Sequence, residues 1–218
     1  MPSQIVWFKR DLRIADHLPL VNAARAGSVL PLYIVEPELW RQPDVSGLHW
    51  LSIRDALVGL RQALAGIGMP LLIRVGPSVE IFQYIDDRIG IEAIWSHEET
   101  GNAWTYQRDR DVASWARSEG IIWHEFPQFG VIRGLKDRNG WGQKWDLFMR
   151  QSATPLPTKI SPVKNLLTDE IPEPYQLGLT TNGLSNRRDG DRATGQSMLA
   201  SFLAHRGARY HKELSSPL

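Results

Sequence analysis

The sequence predicts an α/β fold: a Rossmann-like, doubly wound sheet of five parallel strands, followed by an extended linker and one helix. Five short apolar runs recur between residues 5 and 123, and stretches with a helical spacing of apolar residues lie between them. The runs are 5–8, 29–35, 71–75, 93–95 and 121–123. Strands that alternate with helices favour a parallel sheet with right-handed crossovers and helices on both faces.

Three stretches between the runs carry the helical pattern. Residues 48–65 place a stripe of leucines on one side of a helix, residues 78–89 repeat the pattern, and residues 103–117 show it more weakly. Gly76 and Pro77 precede the second stretch, and proline is tolerated in the first turn of a helix. We therefore assign residues 1–130 to one α/β domain.

The chain changes character after residue 130. Residues 131–150 contain an Asn-Gly turn and a short helix with Trp141, Trp145 and Phe148 on one face, and residues 152–193 hold five of the 14 prolines. A segment of this length without periodicity is typical of a linker or of a chain that wraps another element. Residues 194–213 are helical again. We predict an interdomain segment at 131–193 and the first helix of a truncated second domain at 194–218.

Composition limits the classes of function. The chain has no cysteine, which excludes disulfides, thiolate metal sites and cysteine nucleophiles. No apolar run approaches the roughly 20 residues that span a bilayer, and the N-terminus lacks a signal-peptide pattern. These observations predict a cytoplasmic protein without a membrane partner.

Charge is distributed unevenly along the chain. Residues 1–130 carry 12 Lys and Arg against 16 Asp and Glu, a net charge of −4, whereas residues 131–218 carry 13 against 8, a net charge of +5. This asymmetry permits a nucleic-acid partner for the second part of the chain. A solvated basic tail explains the same numbers, so charge alone leaves both interpretations open.

No complete catalytic motif is present in the sequence. The glycine fingerprint of dinucleotide-binding folds, the phosphate-binding P-loop, the serine nucleophile elbow and the zinc motif H-E-x-x-H are all missing. Consecutive residues at a strand end point in different directions, so His97, Glu98 and Glu99 do not predict a metal site. We therefore predict no catalytic residue and no metal ligand in this chain.

A ligand cleft is expected where the strands end. In open parallel sheets, ligands bind beside the carboxyl ends of the strands, near the point where the strand order reverses. The loops after the first, second and fourth strands supply the candidates, which are charged or polar except for Leu12 and have Trp40, Trp50 and Trp104 close in sequence: Arg10, Asp11, Leu12, Glu36, Glu98, Glu99 and Thr100. Aromatic faces beside paired charges suit a flat, polar heteroaromatic ligand such as a flavin, pterin or deazaflavin. Asp11 and Arg13 equally fit structural ion pairs within their loop.

The first strand and its loop, VWFKRDLRIADH, resemble the start of the DNA photolyase and cryptochrome family. The match rests on Trp7, Phe8, Arg10, Asp11, Leu12 and Arg13, with Asp16 in support. Weaker resemblances follow in order at 52–64, 71–82 and 106–112. Residues 202–217 are similar to the entry of the helical flavin-binding domain of this family.

The resemblance implies a function that this sequence covers only in part. It implies FAD in a helical domain beyond Leu218, an antenna chromophore (reduced folate, deazaflavin or flavin) in the α/β cleft, and damaged DNA as the partner of the full-length protein. The tyrosine near the flavin phosphate in this family corresponds to Tyr210, whereas Leu214 stands where the family has an arginine. The expected parent is a photolyase that repairs pyrimidine dimers with light, and the fragment alone is expected to be inactive.

Two other functions remain open at this stage. A cryptochrome-type photoreceptor has the same resemblance but no repair activity. A stand-alone nucleotide-binding module has a similar sheet and predicts a glycine-rich phosphate loop late in the chain, for which 178–195 is the candidate.

Overall fold

The computed structural model describes residues 3–158, 160–163, 166–181 and 189–213. Five parallel strands form one sheet in the order β3-β2-β1-β4-β5. The strands are β1 (Ser3–Phe8), β2 (Ser28–Val35), β3 (Leu72–Val75), β4 (Ile91–His97) and β5 (Ile122–Phe126). The predicted fold class, a five-stranded doubly wound α/β sheet, is confirmed.

Helices cover both faces of the sheet. They are α1 (Leu18–Ala26), α2 (Pro37–Trp40), α3 (Gly47–Gly66), α4 (Ser78–Ile89) and α5 (Ala103–Ser118). Side chains of α1 and α3 pack on one face, where Phe8 and Trp50 are fully buried, and those of α4 and α5 pack on the other around Trp7 and Phe82. The three predicted helices are thus present, and Pro77 immediately precedes the second of them.

Helices α1 and α2 were not among the predicted elements. The residue before α1 is His17, whose side chain accepts a hydrogen bond from the backbone N–H of Leu20. Histidine is not a typical residue at a helix start, so the sequence carries only Pro19 as a signal. Helix α2 is a single turn, too short to show a period.

The segment predicted as a linker runs along the β3 edge of the sheet. The backbone N–H of Val29 donates to Ser161 (2.7 Å), and that of Asp169 donates to Ile73 (2.8 Å). Further along, the indole N–H of Trp50 donates to the carbonyl of Pro172 (3.0 Å). The segment therefore wraps the α/β domain, which was one of the two possibilities that its composition allowed.

The remaining helices lie before, within and after this segment. They are α6 (Trp141–Met149), a 3-10 turn (Pro174–Leu177), α7 (Arg192–Ser201), a π-helical and a 3-10 turn (Phe202–Arg206 and Gly207–Arg209), and α8 (Tyr210–Glu213). The short helix expected within 131–150 and the helical stretch at 194–213 are present. Of the candidate glycine loop 178–195, residues 182–188 lie outside the described residues, as does Leu214. None of the helices in the described part of the chain is both long and apolar enough to span a bilayer.

Candidate functional site

A cavity of about 600 Å3 opens at the carboxyl ends of β1, β2 and β4. We call it the main cleft. It lies beside the reversal of strand order between β1 and β4, which is where an open α/β sheet normally binds its ligand. Its lining residues come from the strand ends, from α2 and α3, and from the start of α5: Trp7, Phe8, Lys9, Arg10, Tyr33, Ile34, Glu36, Leu39, Trp40, Asp44, Val45, His49, Ser52, Ile53, Glu99, Thr100, Gly101, Asn102 and Arg108.

Aromatic side chains give the main cleft rigid apolar walls. Trp40 packs edge-on against Trp50, with ring centroids 4.9 Å apart. Trp50 is fully buried, and its indole N–H donates a hydrogen bond to the carbonyl of Pro172. The contact with Trp50 therefore holds the ring of Trp40 in position. Tyr33 is also buried, and burial raises the pKa of its hydroxyl, which keeps the phenol neutral.

Arg108 organises the charges at the base of the main cleft. This arginine on α5 is buried and forms ion pairs with Glu36 after β2 and with Glu99 after β4. Its Nε donates to Asp109 (2.8 Å), and its guanidinium lies 4.7 Å from the centroid of the Trp7 ring. All three side-chain nitrogens of Arg108 therefore have a carboxylate partner, and the residues that follow β2 and β4 are connected to α5.

Burial affects the acid and the base of this cluster differently. Burial raises the pKa of Glu36 above its ordinary value, although Arg108 and the hydroxyl of Ser78 act in the opposite direction. Burial acts to lower the pKa of Arg108, but the nearby carboxylates of Glu36 and Glu99 outweigh it and raise that pKa. Arg108 is therefore a permanent cation in the site.

Arg10 and Thr100 lie between the main cleft and a second cavity. The second cavity, of about 250 Å3, shares Lys9, Arg10, Glu99 and Thr100 with the main cleft and extends towards the loop after β5. We call it the side cavity. The Nε of Arg10 donates to Glu99 (3.0 Å), while its side chain is 57% exposed. Four expected residues, Arg10, Glu36, Glu99 and Thr100, thus line one cleft.

Asp11 has a different position from those four residues. It is 2% exposed and does not line the main cleft. One carboxylate oxygen accepts from the backbone N–H of Lys9 (2.9 Å), and the other lies 2.7 Å from His17 Nε2 and 2.6 Å from His97 Nδ1. Burial alone would raise the pKa of Asp11, but the hydrogen bonds from the two histidines hold it well below its ordinary value. Asp11 therefore binds β1, α1 and β4 together.

The cluster of Asp11, His17 and His97 also contains the atoms that a metal site would use. The Nδ1 of His17 accepts a hydrogen bond from the N–H of Leu20 (3.1 Å), so a neutral ring must carry its proton on Nε2, which faces Asp11. A metal ion on that Nε2 would require an imidazolate. The donor set therefore fits a hydrogen-bond network rather than a metal ion.

Three other expected residues lie away from the main cleft. Leu12 packs against the core and lines a separate groove beside α3. Glu98 lines the side cavity and forms an ion pair with Arg133 (3.3 Å). Tyr210 is half exposed in α8 and packs edge-on against Phe202, with ring centroids 5.6 Å apart.

Sequence reasoning missed Arg108 and the contact between Asp44 and Asn102. The side-chain amide of Asn102 donates to both oxygens of Asp44 (3.0 Å each), which connects the α2–α3 loop to the start of α5. Asn102 also accepts from the N–H of Thr105 as the helix cap, and this role was a readable signal. Arg108 lies more than one turn into α5, and side chains on a helix point back towards its N-terminus, which is how Arg108 reaches the strand ends.

Comparison with protein families places the match in the α/β part of the chain. The family model described as DNA photolyase matches residues 4–133. A deoxyribodipyrimidine photo-lyase of Salmonella typhimurium is 45% identical over 74 residues, which cover 33% of this chain and 16% of that protein. A cryptochrome DASH of Natronomonas pharaonis is 30% identical over 127 residues, which cover 56% of this chain and 27% of that protein.

Solved structures share the fold over nearly all of this chain. A cryptochrome from Synechocystis sp. PCC6803 superimposes with a TM-score of 0.78 at 18% identity, over 97% of this chain and 48% of that one. An archaeal photolyase from Sulfolobus tokodaii, described with two FAD molecules and a novel light-harvesting cofactor, gives a TM-score of 0.70 at 19% identity. That match covers 90% of this chain and 46% of the archaeal one. The chain therefore spans less than half of the length of these relatives.

Proposed function

Because the chain belongs to the DNA photolyase family, we propose that its main cleft holds an antenna chromophore. Members of this family bind FAD and antenna chromophores. The observation that carries the proposal is a cleft of about 600 Å3 at the reversal of strand order, within the size range of small-molecule sites. Its walls are aromatic and its polar groups converge from three loops, a combination that suits a flat heteroaromatic ring.

Different residues of the cleft have different roles in this proposal. Trp40 and Tyr33 supply apolar surface for the ring system. Thr100 and Ser52 offer hydroxyl groups for the polar edges of the ring. Glu36, Glu99 and Arg108 satisfy one another and support the cleft. A bound chromophore would supply light absorption, and these residues would fix its orientation and exclude water.

The activity of the whole protein is a further part of the proposal. We infer that it acts on damaged DNA, as a deoxyribodipyrimidine photo-lyase, with FAD bound outside the α/β domain. The flavin supplies the light-driven electron that splits a pyrimidine dimer. Within this division, residues 131–193 connect two domains, residues 194–218 begin the helical domain, and Tyr210 contacts the flavin phosphate.

A photoreceptor without repair activity is the second candidate, favoured by the similarity to cryptochrome DASH over 127 residues. Dimer splitting by the full-length protein under blue light separates the two. Photolyase activity predicts light-dependent loss of dimers from irradiated DNA, whereas a pure receptor leaves them intact.

The antenna proposal is tested by reconstitution of the 218-residue chain. Purified protein is mixed separately with methenyltetrahydrofolate, FMN and a deazaflavin riboside, desalted, and measured by absorption between 300 and 500 nm. Retention of one chromophore in about equimolar amount is the expected result. Trp40→Ala removes one wall of the cleft and should abolish retention, whereas Trp145→Ala, which changes an exposed tryptophan of α6, should not. A colourless protein in all three mixtures would overturn the proposal.

A further inference from the structure

The cations of the main cleft differ in how many of their donors are free. Lys9, Arg10 and Arg108 all line this cleft. Lys9 is buried, forms an ion pair with Asp109 (3.3 Å) and lies over the ring of Trp7, 4.9 Å from its centroid. Arg108 uses all three nitrogens on carboxylates. Every side-chain nitrogen of these two residues already contacts a carboxylate.

Arg10 differs from both because only one of its three side-chain nitrogens contacts a carboxylate. The first carboxylate oxygen of Glu99 accepts from Nε of Arg10 (3.0 Å), and the second accepts from Arg108. Arg10 and Glu99 are therefore joined by a single hydrogen bond. Within the described residues, the two terminal nitrogens of Arg10 have no hydrogen-bond partner. Arg10 lines both the main cleft and the side cavity.

The charges that line the main cleft otherwise balance. Lys9, Arg10 and Arg108 stand against Glu36, Glu99 and Asp44. Asp44 accepts two hydrogen bonds from Asn102, which hold its carboxylate at the rim. A balanced lining attracts anions only weakly at long range, so preference for an anionic ligand has to come from direct contact. An arginine with both terminal nitrogens free is suited to a phosphate or a carboxylate.

We propose that the main cleft selects a chromophore that carries an anionic group, and that Arg10 binds this group through its terminal nitrogens. The inference rests on the proposed antenna function and narrows its ligand class. Glu99 is a positioning residue that holds Nε of Arg10 and turns the other two nitrogens towards the ligand. The anion is a phosphate, as in a flavin mononucleotide, or a carboxylate, as in a folate tail.

Two pairs of probes test the proposal on the full 218-residue chain. FMN and riboflavin share one ring system and differ in the phosphate, so their dissociation constants, measured by fluorescence, isolate its contribution. Methenyltetrahydrofolate in its monoglutamate and triglutamate forms isolates the carboxylates. A charge-assisted contact predicts about tenfold tighter binding of the more anionic member of a pair. The pair that shows this gain identifies the anion.

Variants of the loop after β1 show whether Arg10 provides the contact. Arg10→Gln should reduce the gain to about twofold or less, and Arg10→Lys should keep part of it, because lysine retains the charge but not the planar fork. Arg13→Gln is the matched control: its guanidinium donates to the carbonyl of Asp16 and does not line the cleft. The cleft itself should persist in Arg10→Gln, since Glu99 keeps its ion pair with Arg108.

The outcomes separate this proposal from the antenna proposal. Equal binding within both pairs, or an equal loss of gain in Arg10→Gln and Arg13→Gln, overturns the role of Arg10 and leaves the antenna function standing. Failure of all four probes and of a deazaflavin riboside to bind overturns both. A tenfold gain that only Arg10→Gln removes supports the proposal.

Discussion

The α/β part and the trailing part of this chain are stabilised in different ways. Every residue of β1 is buried, whereas α6 and α7 bury none of theirs. Between these extremes, residues 160–163 and 166–181 attach to the sheet by backbone hydrogen bonds and by the buried side chain of Leu177. Burial of apolar side chains therefore stabilises the sheet and its cleft, whereas the trailing part is attached to them by a few contacts.

Trp50→Ala should produce the largest effect, because it breaks the junction between the two parts. The indole is fully buried, packs against Trp40 and donates to Pro172. Truncation leaves a cavity and removes the partner of that carbonyl, at a cost of about 4 kcal/mol in the free energy of unfolding. Urea unfolding followed by circular dichroism measures this cost.

Trp145→Ala is the control for that experiment, because Trp145 is 40% exposed on α6. It should lower the free energy of unfolding by less than about 1 kcal/mol. Equal losses in the two variants would contradict the difference between the two parts of the chain.

The sheet could be predicted because the pattern of apolar side chains indicates its strands and helices. The attachment of residues 160–163 and 166–181 to the sheet could not be predicted. Apolar runs marked all five strands, and apolar residues at helical spacing marked α3, α4 and α5. The hydrogen bonds from Val29 to Ser161 and from Asp169 to Ile73 join backbone atoms, which any sequence possesses. They leave no compositional trace beyond a proline-rich stretch that lacks a period.

The position of the main cleft could be predicted from the sequence, but the roles of the individual residues around it could not. Loops at the carboxyl ends of strands pointed to Arg10, Glu36, Glu99 and Thr100, which line it. Asp11 belongs to the same loop as Arg10, yet its side chain meets two histidines in the core. His97 is 86 positions away in sequence, and only the pairing of β1 with β4 brings it there.

The pH dependence of stability should test the comparison between the two parts of the chain, because the histidine on which it depends, His17, lies in the α/β part. Burial lowers the pKa of His17 below its ordinary value of 6.5, with His97 and Arg13 acting in the same direction and Asp11 against them. Below pH 6.5 the unfolded chain then binds a proton that the folded chain does not. The free energy of unfolding should therefore fall as the pH drops from 6.5 towards the folded pKa, and stay constant above 6.5.

Urea unfolding at pH 7.5 and 5.5 measures this effect, which should be about 1 kcal/mol. The lowered pKa of Asp11 acts only at more acid pH, so it does not contribute in this window. His17→Asn cannot titrate and keeps an amide that can cap α1, so its stability should change little between the two pH values. An unchanged pH dependence in this variant would show that another group is responsible.

Gly130→Ala should have the smallest effect on the free energy of unfolding, but it should change the local packing of α6. A Cβ at residue 130 would overlap the ring of Trp145, and the carbonyl of Gly130 accepts from the indole N–H of Trp141 (3.1 Å). The substitution therefore displaces α6 from the loop after β5. Since α6 buries no residue, the free energy of unfolding should change by less than about 0.5 kcal/mol. Tryptophan fluorescence and the rate of proteolysis within 131–150 should both change. A large loss of global stability would instead mean that α6 is an integral part of the α/β domain, and the boundary between the two parts would have to move beyond residue 150.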